Sequence, residues 1–119
     1  MTLIIGGAGQ GKLDYVLHKT GYGQDQVAHD PEGARTRPIF DGLENWPGLD
    51  ENELLAANPD IILICDEVGC GVVPVDPAQR ARREAVGRLC CRLAARAARV
   101  ERIFCGLPMV LKGEGPWNL

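Results

Sequence analysis

The sequence predicts an α/β domain in which a mostly parallel sheet is flanked by helices. Two short apolar runs, at residues 3–5 and 61–65, have the length and composition of strands buried on both faces. Helical patterns follow, and the longest covers residues 77–98. Strands that alternate with helices are typical of parallel sheets. With 119 residues, the chain has the length of a single domain, 1–119.

A glycine-rich loop follows the first predicted strand. The candidate nucleotide-binding residues are Gly6, Gly7, Ala8, Gly9, Gln10, Gly11, Lys12 and Leu13. Gly6, four residues, Gly11 and Lys12 form a P-loop spacing, in which backbone N–H groups cradle phosphate oxygens and the lysine reaches the β- and γ-phosphates. The loop therefore predicts nucleotide binding, with Lys12 as a catalytic residue. The alternative is a glycine-rich turn that binds nothing.

Two acidic residues are candidates for holding Mg²⁺ near such a loop. Asp41 ends a short predicted strand, and carboxylates at the carboxyl ends of parallel strands lie on the ligand side of a sheet. Asp41 could hold Mg²⁺ directly or through water, or it could be a turn residue before Gly42. Glu67 follows the run 61–65 and could act as a catalytic base or orient a metal-bound water, or belong to a plain acidic turn.

Composition excludes several classes of protein. The net charge of −3 and the hydrophobic content of 45% are ordinary for a soluble domain, and no apolar run reaches the length of a membrane span. Eight of the 13 basic residues lie between Arg80 and Arg102, but acids interrupt them and no aromatic residue is interleaved, which favours a solvated face over nucleic-acid binding. The five cysteines include no Cys-x-x-Cys pair, and no signal pattern is present, so we expect a cytoplasmic protein with buried, reduced thiols.

The remaining segments predict further elements. Residues 24–36, which include His29, are polar and predict a loop. Asp50 and Asp76 have the positions of helix N-caps. The apolar face predicted for the long helix consists of Ala78, Ala81, Ala85, Leu89, Leu93 and Ala97. Gly87 within that helix suggests close packing or the approach of a ligand.

Several motifs together resemble the adenosylcobinamide kinase / adenosylcobinamide-phosphate guanylyltransferase family. They are the Gly6-Gly7-Ala8 to Gly11-Lys12 loop, the string from Glu67 to Pro74 (EVGCGVVP), the helix pattern of Arg80, Arg83-Glu84, Gly87-Arg88 and Leu93-Ala94, and the closing Gly106-Leu107-Pro108 with Leu111-Lys112. The resemblance implies a RecA-like P-loop fold and a homotrimer. It also implies phosphorylation of adenosylcobinamide by ATP or GTP, followed by GMP transfer from GTP through a histidine adduct.

The sequence also departs from the family pattern. Leu13 stands where the family has a Ser or Thr that ligates Mg²⁺, so metal binding is expected to be weakened. The chain is shorter than is usual in the family, and the loss falls between residues 20 and 60, where the guanylylated histidine is expected. His29 with Arg37-Pro38 could be a remnant of that segment. We favour its deletion, because residues 39–43 match a later family strand.

Two functions follow from this pattern. The first is a kinase-type phosphotransferase of cobalamin biosynthesis that has lost guanylyl transfer. The second is a non-catalytic homologue that binds ATP, GTP or a corrinoid. Leu13 favours the binding module, whereas Lys12 and Glu67 favour the enzyme.

Overall fold

The computed structural model describes residues 1–67 and 75–117, which form one mixed sheet with helices on both faces. The strands are β1 (Thr2–Gly6), β2 (Val27–Ala28), β3 (Ile39–Asp41), β4 (Ile62–Asp66), β5 (Arg99–Phe104) and β6 (Leu107–Lys112). The helices are α1 (Lys12–Thr20), α2 (Pro31–Ala34), α3 (Glu51–Ala57) and α4 (Pro77–Arg96). Short 3₁₀ turns cover Gln24–Gln26 and Leu43–Asn45.

The sheet is ordered β2-β3-β4-β1-β5-β6, which places β1 at its interior. All neighbouring pairs are parallel except β5 and β6, which form an antiparallel hairpin at one edge. The fold is therefore the predicted α/β architecture with a mostly parallel sheet. In the β1–β4 register Gly6 is opposite Asp66, so these two strands end side by side.

Two apolar layers hold the helices against the sheet. On one face, α1 contributes Val16 to a cluster that includes Ile4, Ile39, Ile62, Ile64 and Ile103. On the other face, the side chains of Leu3, Leu63, Cys65, Leu89 and Leu93 belong to a larger cluster with α4. Alternate residues of β1 and β4 serve opposite layers, as the two-residue period of a strand requires. Because both faces are covered, the apolar runs that predicted these strands are nearly continuous.

The predicted helix caps at Asp50 and Asp76 are confirmed. The Asp50 carboxylate accepts a hydrogen bond from the Glu53 N–H at 3.1 Å, and that of Asp76 accepts one from the Ala78 N–H at 2.9 Å. Each such cap contributes about 1 kcal/mol to helix stability. The β4–α4 connection between these caps contains residues 68–74, including the Gly-x-Gly sequence, which lie outside the described residues.

The prediction of a loop over residues 24–36 was wrong. This segment contains β2 and the single helical turn α2, whose cap is the Asp30 carboxylate at 2.7 Å from the Gly33 N–H. Val27 and Ala28 are buried and pair with β3, yet two residues are too few to show a strand period in the sequence. Tertiary pairing at the sheet edge forms this strand.

The predicted apolar face of α4 was only partly correct. Leu89, Leu93 and the unpredicted Val86 are buried, whereas Ala78 and Ala81 are exposed. A helix of 20 residues is about 30 Å long, whereas a five-residue strand is about 17 Å long, so the strand cannot cover the whole helix, and the exposed alanines lie in the first turns. Gly87 was predicted to indicate close packing or the approach of a ligand. Close packing is wrong, because Gly87 is exposed and a Cβ there would meet no atom within 4 Å, and the approach of a ligand stays a prediction.

The chain that follows β6 packs against the start of the domain. The Trp117 ring lies edge-on to Tyr15, with ring centroids 6.0 Å apart, and Arg99 stacks over the same indole at 5.9 Å. Tyr15 in turn donates a hydrogen bond to the buried Glu101 carboxylate at 2.6 Å. Over the described ranges, no helix has the length and hydropathy needed to span a bilayer.

Candidate functional site: the P-loop cleft

The glycine-rich loop directly follows β1 and has a backbone that only glycine accommodates at several positions. A Cβ on Gly6 would lie 2.5 Å from the carbonyl oxygen of Ile103, so β5 approaches too closely for any side chain. Gly9 and Gly11 have φ values of 73° and 86°, in the left-handed region that L side chains rarely adopt. The conformation of the loop therefore favours glycine at positions 9 and 11.

Gln10 fastens the loop to the β5–β6 hairpin. Its carbonyl oxygen accepts a hydrogen bond from the Gly106 N–H at 2.8 Å, and its side-chain oxygen accepts one from the Cys105 N–H at 2.7 Å. Cys105 and Gly106 both have positive φ, which is typical of a tight hairpin turn. The Gln10 side chain is thus engaged in positioning the loop.

The Lys12 side chain is folded back across the loop. It is only 6% exposed, and its Nζ donates a hydrogen bond to the Gly7 carbonyl at 2.8 Å. The same Nζ lies 2.6 Å from Oδ1 of Asp66, forming an ion pair. Asp66 was not among the predicted site residues. The signal for it was its position at the end of β4, beside the end of β1.

Asp41 and Asp66 open onto one cleft of about 220 Å³. Its lining consists of Gly9, Gly11, Lys12, Leu13, Asp14, Asp41 and Asp66. Burial raises the pKa of Asp41, and the Asp66 carboxylate adds to the rise, while the charges of His29 and Lys12 oppose it. The structure therefore brings the predicted residues Lys12, Leu13 and Asp41 together in one place.

Glu67 faces a different partner. Its carboxylate forms a two-point contact with Arg102, at 2.8 Å and 3.1 Å, and its N–H donates to the Gly6 carbonyl at 2.8 Å. Glu67 thus borders the loop through its backbone and does not line the cleft of Asp41. A role for Glu67 as a base or metal ligand requires its carboxylate to leave Arg102.

The two histidines lie at different distances from the loop along the chain. His18 is exposed in the last turn of α1, away from the loop at the start of that helix. His29 is exposed directly after β2, at the sheet edge where Asp41 ends β3, and its charge acts on the Asp41 carboxylate. The carbonyl of His29 accepts a hydrogen bond from Trp46 Nε1 at 3.4 Å.

The donors in the cleft fit Mg²⁺ held together with a nucleotide. The described residues contain no cluster of three or more His, Cys, Asp or Glu suited to a metal ion on its own. Mg²⁺ is nevertheless commonly bound by one or two carboxylates together with phosphate oxygens and water. Asp41 and Asp66 supply two carboxylates, whereas Leu13 supplies no oxygen.

A larger cavity, of about 520 Å³, lies around Trp46 between α2 and α3. Arg35 is the basic residue among its described lining, and this guanidinium is already ion-paired with Glu53. None of the described residues that line this cavity belongs to a glycine-rich loop whose N–H groups could bind phosphate. The smaller cleft is therefore the better candidate for a phosphate site.

Comparison with known proteins identifies the family. Residues 50–111 match the profile of the family described as cobinamide kinase / cobinamide phosphate guanyltransferase. The chain belongs to this family. The resemblance found in the sequence motifs is thus confirmed, and it places the chain in a family of cobalamin biosynthesis with a P-loop NTPase-like fold.

One similar protein is the bifunctional adenosylcobalamin biosynthesis protein CobP of Pseudomonas aeruginosa. It is 44% identical over 54 residues, a stretch that covers 45% of this chain and 31% of the relative. The chain therefore matches less than a third of that relative's length. The family match includes Asp66 and Glu67 but begins after the P-loop and Asp41.

Proposed function

We propose that the chain is a nucleotide-dependent phosphotransferase that moves the γ-phosphoryl group of ATP or GTP to the hydroxyl of adenosylcobinamide. Membership of the cobinamide kinase family supports this substrate class. The observation that carries the proposal is the meeting of the glycine loop, Lys12, Asp41 and Asp66 in one cleft. This set supplies N–H groups that can donate hydrogen bonds to phosphate, a positive countercharge from Lys12 and two carboxylates.

The Lys12–Asp66 ion pair suggests how nucleotide binding prepares the site. The β- and γ-phosphates would be held by loop N–H groups, and Lys12 would transfer its hydrogen bonds from Asp66 to phosphate oxygens. Asp66 would then be free to accept the proton of the attacking hydroxyl while the nucleoside diphosphate leaves. Mg²⁺ held by Asp41 and the phosphates would neutralise charge on the transferred group. Glu67, once released from Arg102, is the alternative base.

Calorimetric titration tests the nucleotide site. Lys12→Ala should lower the affinity for ATP and GTP by tenfold or more, since charge-assisted hydrogen bonds contribute about 1.5–3 kcal/mol. Lys19→Ala is the matched control, because Lys19 is an exposed lysine on the same helix. Equal affinities for the wild type and Lys12→Ala would refute the P-loop assignment. Phosphorylation of adenosylcobinamide by the nucleotide-saturated protein then tests the reaction.

The second candidate function is binding without catalysis. Leu13 favours it, because an apolar side chain lines the cleft where the family places a metal ligand. Tight ATP or GTP binding together with no phosphorylation of adenosylcobinamide would support this function over the first.

We also propose that the chain forms a homo-oligomer through β6. This edge strand exposes Leu107, Met109, Val110 and Leu111 by half or more of their surface, and exposed apolar edges favour association. Light scattering should show that Met109→Lys shifts the assembly toward monomer, whereas Val75→Lys, at a site 90% exposed elsewhere, should not.

We further propose a reducing, cytoplasmic location, which the free thiols at Cys65, Cys90, Cys91 and Cys105 support.

A further inference from the structure

Two thiols from different elements meet beneath the sheet. Sγ of Cys65 on β4 lies 3.5 Å from Sγ of Cys90 on α4, although the residues are 25 positions apart in sequence. A disulfide bond is about 2.05 Å long, so the sulfurs would have to close by roughly 1.5 Å. This distance is within the reach of side-chain rotation combined with a small shift of the helix.

The two thiols differ in accessibility. Cys65 is fully buried, whereas Cys90 is half-buried and lines an apolar groove of about 550 Å³ between α4 and the sheet. Leu3, Ile5 and Leu111 also line this groove. A small solute that enters the groove therefore meets Cys90 first, and Cys65 lies directly behind it.

We propose that Cys65 and Cys90 form an oxidisable dithiol, in which Cys90 reacts with hydrogen peroxide and Cys65 resolves the product into a disulfide. The Cys90 sulfur attacks one peroxide oxygen, the O–O bond breaks, and the departing oxygen leaves as water to give a sulfenic acid. The Cys65 sulfur then attacks the Cys90 sulfur, the S–O bond breaks, and water leaves with the Cys65 proton. In total, two thiols are oxidised and one peroxide is reduced to two molecules of water.

The electrostatics of the pair agree with this order of events. The hydrogen bond shared with Cys65 lowers the pKa of Cys90, because a neighbouring thiol stabilises the Cys90 thiolate. Burial and the charges of Glu44 and Glu67 oppose this lowering, so the order of events rests on the greater accessibility of Cys90.

The dithiol is adjacent to the P-loop cleft. Cys65 directly precedes Asp66, whose carboxylate pairs with Lys12. Drawing Cys65 toward α4 would also displace Asp66, and this part of the inference rests on the proposed nucleotide site. Oxidation is therefore expected to change the affinity for ATP at least threefold, and dithiothreitol should reverse the change.

The disulfide is tested in a chain that keeps only the two cysteines, made by Cys70→Ser, Cys91→Ser and Cys105→Ser. After peroxide treatment and alkylation, intact mass should fall by two hydrogen atoms, and non-reducing peptide mapping should join Cys65 to Cys90. Adding Cys90→Ala to this background should abolish the product. Two alkylated thiols, or Cys90 oxidised to a sulfinic acid without a cross-link, would overturn the dithiol.

ATP titration of the oxidised and the reduced protein separates the two parts of the inference. A mapped disulfide with unchanged ATP affinity would refute the connection to the cleft. If neither form binds ATP, the nucleotide site itself fails, while the result of the peptide map still decides the dithiol. Thermal unfolding of each variant verifies that it is folded.

Discussion

The ammonium group of Lys12 lies 2.6 Å from the carboxylate of Asp66, where β1 and β4 end side by side. The lysine is almost fully buried, and the aspartate is about one third exposed. A buried ammonium requires a compensating charge, and Asp66 provides it within the protein. A bound phosphate has to compete with this carboxylate for the same nitrogen.

Two conservative substitutions distinguish the candidate bases. If Asp66 accepts the proton, Asp66→Asn should lower the rate of phosphorylation by about 100-fold or more, the usual effect of losing a general base. Glu67→Gln should have a smaller effect on that rate, because the Glu67 carboxylate is bound by Arg102. Steady-state kinetics with saturating nucleotide measures both. A larger loss of rate in Glu67→Gln would assign the base to Glu67.

Substitutions at Leu13 test whether position 13 takes part in Mg²⁺ binding. Leu13→Ser adds a hydroxyl at the motif position that ordinarily ligates Mg²⁺, so it should tighten Mg²⁺–nucleotide binding or raise turnover. Leu13→Ala is the control, because it removes the same bulk without adding an oxygen donor. Titration of Mg²⁺ at fixed ATP concentration measures the difference. If the serine and alanine variants behave alike, position 13 takes no part in metal binding.

Guanylyl transfer is expected to be absent. A covalent GMP adduct needs a nucleophilic imidazole at the α-phosphate, and the chain has two histidines. His18 lies in the last turn of α1, and His29 lies at the sheet edge without the sequence partners expected around the family nucleophile. Intact-mass spectrometry after incubation with GTP should show no stable adduct. A mass increase of one GMP that disappears in His29→Ala would identify His29 as a working remnant.

Tyr15 should make stability depend on alkaline pH. Burial is the main cause that raises its pKa from 10.0 to about 12, and its hydrogen bond to Glu101 adds to the rise. The unfolded chain therefore loses this proton first, so the stabilisation is complete below pH 10 and is lost as pH rises toward about 12. The loss should be at most about 2 kcal/mol, since Tyr15 is only partly buried.

Urea unfolding at pH 9 and pH 11.5 measures the effect of Tyr15. Because other groups also titrate in this range, the useful quantity is the difference between the wild type and Tyr15→Phe. The phenylalanine variant should be less stable at pH 9 and should lose less stability than the wild type at pH 11.5. Equal losses in the two proteins would show that Tyr15 does not titrate with a raised pKa.

The sequence predicted the parts of this fold that have strong local signals. The apolar run at 61–65 became β4, the aspartates at positions 50 and 76 became caps, and the glycine spacing placed the loop after β1. Each of these features depends on neighbouring residues, so one sequence suffices to find it. The two-residue strand β2 depends on pairing with β3, and that pairing has no counterpart in local sequence.

The candidate site shows the same division. Lys12 and Asp41 could be named from the sequence because each follows a recognisable strand. The ion pairs Lys12–Asp66 and Glu67–Arg102 could not be predicted from the sequence, because they depend on the direction in which each carboxylate points at the end of β4. The sequence predicted a role for Glu67 and not for its neighbour Asp66, yet the structure directs Asp66 to Lys12 and Glu67 to Arg102.

The hydrogen bonds from the β5–β6 turn to Gln10 join two ends of the chain into one mechanical unit. The phosphate loop holds the turn at Cys105 and Gly106, and that turn leads into the exposed edge strand β6. A displacement of β6 is therefore transmitted to the amides of the phosphate loop, and a fixed loop restrains the position of β6. If a nucleotide binds more tightly to one position of this hairpin, a molecule that binds β6 and favours that position raises the affinity for the nucleotide. By thermodynamic reciprocity, the nucleotide raises the affinity for that molecule by the same factor.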